Sequence, residues 1–319
     1  MTERMLISGG NGFLGSHIID KALDNGIGVT VVDDLSTSKE RQVPKEVEFM
    51  RKHIEEAKEL LGRKFDFVLH LAARPSPDDY LRNPLRTIDS NDIGTRLMLE
   101  IARLSGATFL YTSTSEVYGD PAVVPIPESY FGNVNPNGVR SCYDESKRFS
   151  EALAKAFERT YGVDVRIERP FNVFGPRIRE DGFYGRVIPR FIDQALSGQP
   201  LTVHGDGLQT RSYLFYTDWV DATWKFLHEP SAKGAVLNIG SSEEITVIDL
   251  AKRIIRMTGS ASEIAHTPPR EEDPCHVVPS VENAIAQQLV SLVDVAALYN
   301  PPLYNKFINA TKKRYGLKK

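Results

Sequence analysis

The side chains of Tyr143 and Lys147 stand four residues apart in a stretch with a helical pattern of apolar positions. This spacing puts both side chains on one face of a helix. A neighbouring ammonium stabilises a tyrosinate and brings a phenol, whose ordinary pKa is about 10, toward neutral pH for proton transfer. Pairs with this spacing are common, so the pair by itself also fits an ordinary helix surface.

A second group of reactive side chains, Thr114, Ser115 and Glu116, follows directly on an apolar run at residues 108–112 that predicts a strand. Hydroxyl and carboxylate groups can hydrogen-bond a substrate and move protons. In a doubly wound sheet the carboxyl ends of the strands line the ligand crevice. We therefore expect these three residues to lie in the same site as Tyr143 and Lys147.

A turn between a strand pattern and a helical pattern carries Gly9, Gly12 and Gly15 at its first, fourth and seventh positions. Gly9 permits a tight turn, Gly12 lets a pyrophosphate approach the backbone, and Gly15 lets helix and strand pack closely. The helix start offers oriented N–H groups for the phosphates. Asp33, at the end of the next predicted strand, can accept hydrogen bonds from both ribose hydroxyls of NAD and would repel a 2′-phosphate. The sequence therefore predicts NAD rather than NADP.

The elements that must hold these groups alternate between strand and helix over the first 170 residues, and the predicted strands are apolar on both faces. This alternation is typical of a doubly wound parallel sheet of the Rossmann type. Beyond Pro170 the rhythm changes, and Gly and Pro become more frequent. We expect an α/β fold with a dinucleotide-binding domain at residues 1–170, to which residues 212–238 return. A smaller α/β substrate-binding lobe is expected at residues 171–319.

The composition argues against several classes of protein. The 319 residues are 41% hydrophobic and 25% charged with a formal charge of −3, unlike a dedicated nucleic-acid binder. No stretch reaches the ~18 apolar residues of a membrane span, and the beginning lacks a signal-peptide pattern. The two cysteines, Cys142 and Cys275, make no disulfide framework, and the histidines lack metal-ligand spacing. We expect a cytoplasmic protein with no metal site, no membrane contact and no nucleic-acid partner.

Four stretches of this chain resemble the extended short-chain dehydrogenase/reductases that modify nucleotide sugars. They are residues 9–15, residues 70–73, the pair of Tyr143 and Lys147, and residues 169–177. A more specific resemblance lies in residues 112–121, which read TSTSEVYGDP, and in residues 135–148, which read NPNGVRSCYDESKR. These two runs are similar to the UDP-glucuronate decarboxylases, which are also called UDP-xylose synthases.

The resemblance implies a role for each reactive side chain. Thr114 would hydrogen-bond the sugar 4-hydroxyl, and Tyr143 would remove its proton. Lys147 would tune Tyr143 and hold the nicotinamide ribose, while Glu116 would lie near C5 of the sugar. The implied activity is decarboxylation of UDP-glucuronate to UDP-xylose through a transient 4-ketone, with NAD regenerated. Ser115 stands where the similar 4,6-dehydratases carry an Asp, which argues against 4,6-dehydration.

The resemblance also implies which residues bind the two ligands. The predicted cofactor-binding residues are Gly9, Gly12, Phe13, Leu14, Gly15, Asp33, Leu71, Ala72, Ala73, Tyr143 and Lys147. The predicted substrate-binding residues are Tyr80, Ser115, Glu116, Asn172, Arg190 and Arg211. Relatives commonly form a homodimer through two helices per subunit, here residues 93–104 and 143–161. The apolar Ala152, Leu153, Ala156 and Phe157 could belong to that interface or to the internal core.

Two departures from the family pattern keep alternatives open. His53 stands where the family usually has an Asp that contacts the adenine, and it could equally be a surface residue. Val277 stands where the decarboxylases carry an Arg that meets the substrate carboxylate. Either Arg270 or His276 substitutes for that Arg, or the carboxylate is not the substrate feature. A nucleotide-sugar 4-epimerase or a 5,6-dehydratase is therefore the alternative function, and a non-catalytic NAD-binding protein is a third.

Overall fold

A seven-stranded parallel sheet lies at the centre of the computed structural model, which describes residues 2–38, 41–179, 186–271 and 274–286. Its strands are β1 (Arg4–Ser8), β2 (Gly28–Val32), β3 (Glu48–Met50), β4 (Phe67–His70), β5 (Thr108–Thr112), β6 (Val165–Pro170) and β11 (Val236–Ile239). Across the sheet they run β3-β2-β1-β4-β5-β6-β11, and every neighbouring pair is parallel. The predicted doubly wound sheet is confirmed.

The strand order reverses between the neighbouring strands β1 and β4. In an open α/β sheet such a reversal opens a crevice at the carboxyl ends of the strands, where ligands bind. Ser8 ends β1 and His70 ends β4, and the Ser8 hydroxyl oxygen lies 2.5 Å from Nδ1 of His70. The turns that follow these two strands therefore border the crevice on either side.

Helices cover both faces of the sheet, which explains why its strands are apolar on both sides. They are α1 (Phe13–Asp24) and α6 (Tyr216–His228) on one face, with α3 (Pro84–Ser105) and α4 (Ser141–Tyr161) on the other. In β4, Phe67 and Leu69 join the core under α1 and α6, while Val68 joins the core under α3 and α4. Successive side chains of a strand point to opposite faces, so a strand covered on both sides is apolar throughout.

A smaller group of elements, the second lobe, has a core of its own. It consists of α5 (Val187–Leu196), β8 (Leu201–His204), α7 (Val247–Thr258) and β13 (Ile264–Thr267). The remaining short elements are α2 (Pro77–Tyr80), β7 (Val173–Phe174), β9 (Thr210–Arg211), β10 (Leu214–Phe215), β12 (Ile245–Thr246), β14 (His276–Val277) and α8 (Glu282–Ala286). Residues 287–319 of the predicted lobe lie outside the described residues.

The long helices α3 and α4 carry apolar side chains on an outer face as well as in the core. On α3 Leu85 is 74% exposed and Ile93 is 48% exposed, and on α4 Phe149 is 46% exposed. Leu153 and Phe157 instead lie in the core beneath these helices, so the internal alternative holds for both. None of the helices in the described part of the chain has the length and apolar character to cross a membrane.

Candidate active site

The glycine turn between β1 and α1 leaves no room for side chains. A Cβ on Gly15 would lie 2.4 Å from the carbonyl oxygen of Gly9 and 2.7 Å from Cα of Gly10. Gly9 has a φ of +71°, and a Cβ there would lie 2.6 Å from the backbone of Ala72. The first turn of α1 therefore packs directly on the turn, with its free N–H groups at the crevice. This cradle fits the pyrophosphate of a dinucleotide.

Asp33 directly follows β2 and is fixed by the backbone. Its two carboxylate oxygens accept hydrogen bonds from the N–H groups of Asn11 at 2.9 Å and Leu35 at 2.8 Å. Burial raises the pKa of Asp33 to about 6, although both N–H donors oppose that shift. The carboxylate stays ionised above this pH and fits a ribose with free hydroxyls. His53 lies in the same part of the crevice, with Nδ1 2.8 Å from a carboxylate oxygen of Asp34.

A single continuous cleft brings together every predicted site residue. From the cofactor set it is lined by Gly9, Gly12, Phe13, Leu14, Gly15, Asp33, Leu71, Ala72, Ala73, Tyr143 and Lys147. From the reactive and substrate sets it is lined by Tyr80, Thr114, Ser115, Glu116, Asn172, Arg190 and Arg211. The cleft runs from the carboxyl ends of the sheet strands to the second lobe, so a ligand bound in it can contact both parts of the fold. The individual roles of these lining residues stay predictions.

Tyr143 is the third residue of α4, is buried and lines the cleft. Its ring stacks on Tyr80, with centroids 5.1 Å apart and planes within 2°. Burial raises the pKa of the Tyr143 phenol above its usual range, while a hydrogen bond with Thr114 and the charge of Arg186 lower it in part. The phenol and the Thr114 hydroxyl are therefore paired and face a cation, as a proton-transfer pair requires.

Lys147 lies one helical turn after Tyr143 and is 2% exposed. Its ammonium donates a hydrogen bond of 2.8 Å to the carbonyl oxygen of Thr112 and lies 4.7 Å from the centroid of the Tyr111 ring. Burial lowers the pKa of Lys147 to about 7, although the carboxylates of Glu151 and Glu168 raise it. The ammonium is thus held at the end of β5, immediately before the reactive group at residues 114–116.

Glu116 lies in a short 3₁₀ helix, Ser115–Tyr118, that Thr114 caps by accepting a hydrogen bond of 3.2 Å from the Glu116 N–H. Its carboxylate is paired with the guanidinium of Arg140, which also lies 3.7 Å from a carboxylate oxygen of Asp144. Arg186 acts electrostatically with Glu116 and lines the same cleft. Sequence reasoning missed both arginines as site residues. Arg140 could have been found, because it lies within the family-like run at residues 135–148.

The far end of the cleft is strongly basic. Arg190, Arg211 and Arg270 all line it. Burial lowers the pKa of Arg190 to about 10, and the charge of Arg270 lowers it further. Crowded guanidinium groups in a cleft attract anions, and guanidinium pairs well with phosphate. Asn172, with a φ of +40°, donates a hydrogen bond of 3.0 Å to the carbonyl oxygen of Ser212 and lies beside this end.

Val277 does not lie in the cleft. It is 4% exposed and packs in an apolar cluster with Val117, Tyr118 and Phe171. Of the two suggested substitutes, His276 is exposed and lies 2.8 Å from the Thr210 hydroxyl, while Arg270 lines the cleft. Arg270 lies 3.4 Å from a carboxylate oxygen of Asp78. The guanidinium groups beside Glu116, however, are those of Arg140 and Arg186.

Fold and cleft together define a dinucleotide-dependent enzyme of the doubly wound α/β class. The sequence model described as the NAD dependent epimerase/dehydratase family matches residues 5–240. The chain belongs to this family, and the prediction of NAD as its cofactor is confirmed.

Individual relatives come from curated sequences and from solved structures. UDP-glucuronic acid decarboxylase 3 of Arabidopsis thaliana is 43% identical over 284 residues, covering 88% of this chain and 82% of the relative. The UDP-glucose 4-epimerase of Thermotoga maritima superposes with a TM-score of 0.85 at 30% identity, covering 95% of this chain and 99% of the other. The UDP-glucuronic acid 4-epimerase of Bacillus cereus, solved with UDP-glucuronic acid and NAD, has a TM-score of 0.83 at 25% identity, covering 97% and 99%.

Proposed function

We propose that this protein decarboxylates UDP-glucuronate to UDP-xylose through a transient 4-keto sugar. The observation that carries the proposal is the carboxylate of Glu116, held by Arg140 beside the Thr114 and Tyr143 pair. A carboxylate at this place serves chemistry at C5, which a 4-epimerase does not perform. The decarboxylase names of relatives at about 40% identity support the same activity.

The first chemical step is the oxidation of C4, for which NAD supplies a reversible hydride acceptor when it is bound. Thr114 hydrogen-bonds the 4-hydroxyl, and Tyr143 removes its proton as the ketone forms. Lys147 holds a positive charge next to this pair and the ribose. Because burial raises the pKa of Tyr143, these partners are needed to make its phenolate accessible.

The second step is the loss of the carboxylate at C5. With a ketone at C4 this carboxylate is β to a carbonyl, so the electrons of the breaking C–C bond move into an enolate as carbon dioxide leaves. A proton must then return to C5, and we assign that transfer to Glu116, which takes the proton from water and passes it to C5. The C4 ketone finally takes back the hydride that C4 lost, and Tyr143 returns its proton to the 4-oxygen, which gives UDP-xylose. The neighbouring guanidinium groups of Arg140 and Arg186 stabilise the carboxylate of Glu116 and the enolate of the sugar.

Binding is divided between the two parts of the fold. We propose that residues 1–170, with residues 212–238, bind NAD through the cofactor set that lines the cleft. Residues 171–319 bind the nucleotide diphosphate, with Arg190 and Arg211 on the phosphates and Asn172 nearby. Tyr80 and Ser115 border the sugar, because Tyr80 stacks on Tyr143 and Ser115 follows Thr114.

We also propose a homodimer in the cytoplasm. The exposed Leu85 and Ile93 on α3 and Phe149 on α4 supply an apolar face that a second copy could cover. Cys142 and Cys275 are both free thiols, which fits a reducing compartment. The formal charge of −3 supports a small-molecule substrate rather than a nucleic acid.

A nucleotide-sugar 4-epimerase, or a 5,6-dehydratase of the same family, is the second candidate. The observation in its favour is Val277, which is buried away from the cleft and leaves no Arg at the position that the decarboxylases use. The match to an epimerase at 30% identity over nearly the whole chain supports the same alternative. In that case Glu116 is a neighbour of C5 with no proton to transfer, or it serves a dehydration there.

The test is incubation of the purified protein with NAD and UDP-glucuronate, followed by proton NMR of the sugar and measurement of released carbon dioxide. We expect a UDP-pentose and one carbon dioxide per sugar consumed. A retained carboxylate with inverted C4 would overturn the decarboxylase and establish the epimerase. Glu116→Gln should stop decarboxylation but spare a simple 4-epimerisation. Glu145→Gln, a half-exposed carboxyl on the same helix as Tyr143, is the matched control and should retain activity.

A further inference from the structure

A second carboxyl group, that of Glu168, lies completely buried directly behind the reactive end of β5. Glu168 pairs with Thr112 in the register of β5 and β6 and is 0% exposed. One of its oxygens accepts a hydrogen bond of 2.8 Å from the Thr112 hydroxyl, and the other accepts one of 2.6 Å from the Thr223 hydroxyl. Both donors are neutral, so neither hydrogen bond cancels the charge of an ionised carboxylate. A buried charge of this kind needs a cation nearby.

Lys147 approaches Thr112, the strand partner of Glu168, from the opposite face of the sheet. Its ammonium donates to the carbonyl oxygen of Thr112 at 2.8 Å, while the hydroxyl of Thr112 donates to Glu168. Thr112 therefore connects the ammonium and the carboxylate through one residue, with α4 on one face and α6 on the other. The nearby Glu151 is already committed, because both its oxygens bind the guanidinium of Arg169 at 2.9 and 2.6 Å.

We infer that Glu168 is a positioning residue of the reaction, whose carboxylate acts across Thr112 to keep Lys147 in its ammonium form. The inference rests on the proposed function only for the consequence that Lys147 must be charged to stabilise the Tyr143 phenolate, which accepts the proton of the 4-hydroxyl. Glu168 does not line the cleft. Its effect is therefore electrostatic and acts through Lys147.

The charges around the pair support this assignment. Burial lowers the pKa of Lys147 to about 7, and the carboxylates of Glu151 and Glu168 oppose that shift. Burial raises the pKa of Glu168 to about 7, while its hydroxyl donors and Lys147 lower it. His70 also faces Lys147, but burial lowers the pKa of that imidazole to about 3, so it adds no charge near neutral pH.

The remaining ionisable groups around the pair are neutral or already matched. Burial raises the pKa of the Tyr111 phenol well above its usual range, as it does for the Tyr143 phenol, so both stay protonated. Arg166, which precedes Glu168 by two residues, donates to the carbonyl oxygens of Phe226 and Glu229 and pairs with Asp164 at 2.9 Å. Glu151 and Glu168 thus both favour the charged form of Lys147, and Glu168 is the one that Thr112 connects to the ammonium through hydrogen bonds. Removing it should let the ammonium lose its proton at lower pH.

The experiment reads the ionisation of Lys147 directly. Protein labelled with 13Cε-lysine is titrated without cofactor, and the Lys147 resonance is identified as the one absent from Lys147→Met. In Glu168→Gln we expect the Lys147 midpoint to fall by about one pH unit or more, because an opposite charge nearby favours the charged form. Glu48→Gln, a carboxyl at the sheet edge paired with Arg63, is the control and should leave the midpoint unchanged. An unchanged midpoint in Glu168→Gln overturns the inference.

A second variant keeps the test decisive if Glu168→Gln does not fold. Thr223→Val removes one hydroxyl donor from Glu168 and raises the pKa of its carboxyl, so the Lys147 midpoint should fall by a smaller amount. No movement in Thr223→Val then overturns the inference. In turnover assays Glu168→Gln should move the alkaline limb of the kcat profile to lower pH with KM unchanged. A moved Lys147 midpoint without decarboxylation would refute the proposed function while leaving the role of Glu168 intact.

Discussion

Replacing Asp33 by Asn should change the pH dependence of stability in a way that follows from its burial. Folding raises the pKa of Asp33 from 3.8 to about 6. The protonated carboxyl therefore favours the folded state, and this contribution is complete below about pH 4 and lost as the pH rises through about 6. A shift of about two units corresponds to about 3 kcal/mol. Between pH 4 and pH 8 the free energy of unfolding of Asp33→Asn should thus rise by about 3 kcal/mol relative to that of the wild type.

The substitution also removes one hydrogen bond, which lowers the stability of the variant. Asp33 accepts N–H groups from Asn11 and Leu35, whereas the side chain of Asn has one acceptor oxygen. The variant therefore loses about 1 to 2 kcal/mol at every pH. We expect it to be less stable than the wild type at pH 4 and more stable at pH 8.

Urea unfolding of the cofactor-free protein at these two pH values measures the effect, because bound NAD would add its own stabilisation. The control is Asp249→Asn at the start of α7. Hydrogen bonds with Thr246 and Lys252 lower the pKa of this exposed carboxyl, so its contribution is present above about pH 4 and is lost only at lower pH. The stability difference between wild type and Asp249→Asn should therefore be nearly the same at pH 4 and pH 8. A difference between wild type and Asp33→Asn that is equal at pH 4 and pH 8 would refute the reasoning. NAD affinity of Asp33→Asn should fall about 10- to 100-fold, since hydrogen bonds to a charged acceptor are lost.

Two further substitutions test the cradle and the outer helix face. Gly15→Ala should weaken NAD binding by at least about tenfold and lower the Tm, because its Cβ would lie 2.4 Å from the Gly9 carbonyl oxygen. NAD titration and calorimetry measure the two effects. The control is Gly62→Ala, since a Cβ at Gly62 would have nothing within 4 Å. Leu85→Lys should convert a dimer to a monomer, as measured by sedimentation velocity. The control is Leu208→Lys on the second lobe, where Leu208 is 61% exposed, and this variant should stay dimeric. A dimer that persists in Leu85→Lys contradicts the assignment of the outer face of α3 and α4 as the dimer interface.

Much of the fold could be predicted because the strands and the glycine turn carry local signals. A strand covered on both faces is apolar throughout, and the glycines report the close contact of Gly15 with Gly9. Element boundaries were less visible. The α3 helix begins at Pro84, nine residues before the predicted start at Ile93, because its first turns are polar and partly exposed. Pro at the first helical position was the available signal.

The site was predictable where its residues follow a strand and less so where they meet across the fold. Thr114 and Glu116 follow β5 directly, so their position at the crevice followed from the sheet. Arg140 pairs with Glu116 across 24 positions, and no periodicity connects the two. Arg186 reaches Tyr143 from the start of the second lobe. Such charges are assigned only when the chain has folded back on itself.

Val277 shows why a residue expected from a family pattern cannot simply be restored. It is 4% exposed among Val117, Tyr118 and Phe171, and Arg169 lies over the Tyr118 ring at 4.9 Å. Val277→Arg would bury a guanidinium without a partner beside an existing one, at a cost of about 3 to 5 kcal/mol. We expect a loss of stability of this size by urea unfolding and no gain in decarboxylation.

Val277→Leu, which adds one methylene group to the same apolar cluster, is the control and should cost about 1 to 3 kcal/mol. A stable Val277→Arg variant with faster decarboxylation would mean that position 277 can reach the sugar, contrary to its packing here. A destabilised variant without faster decarboxylation agrees with position 277 lying outside the cleft, so the substrate carboxylate is to be sought at residues that line it. The guanidinium groups that already lie beside Glu116, those of Arg140 and Arg186, are then the ones to replace with Lys.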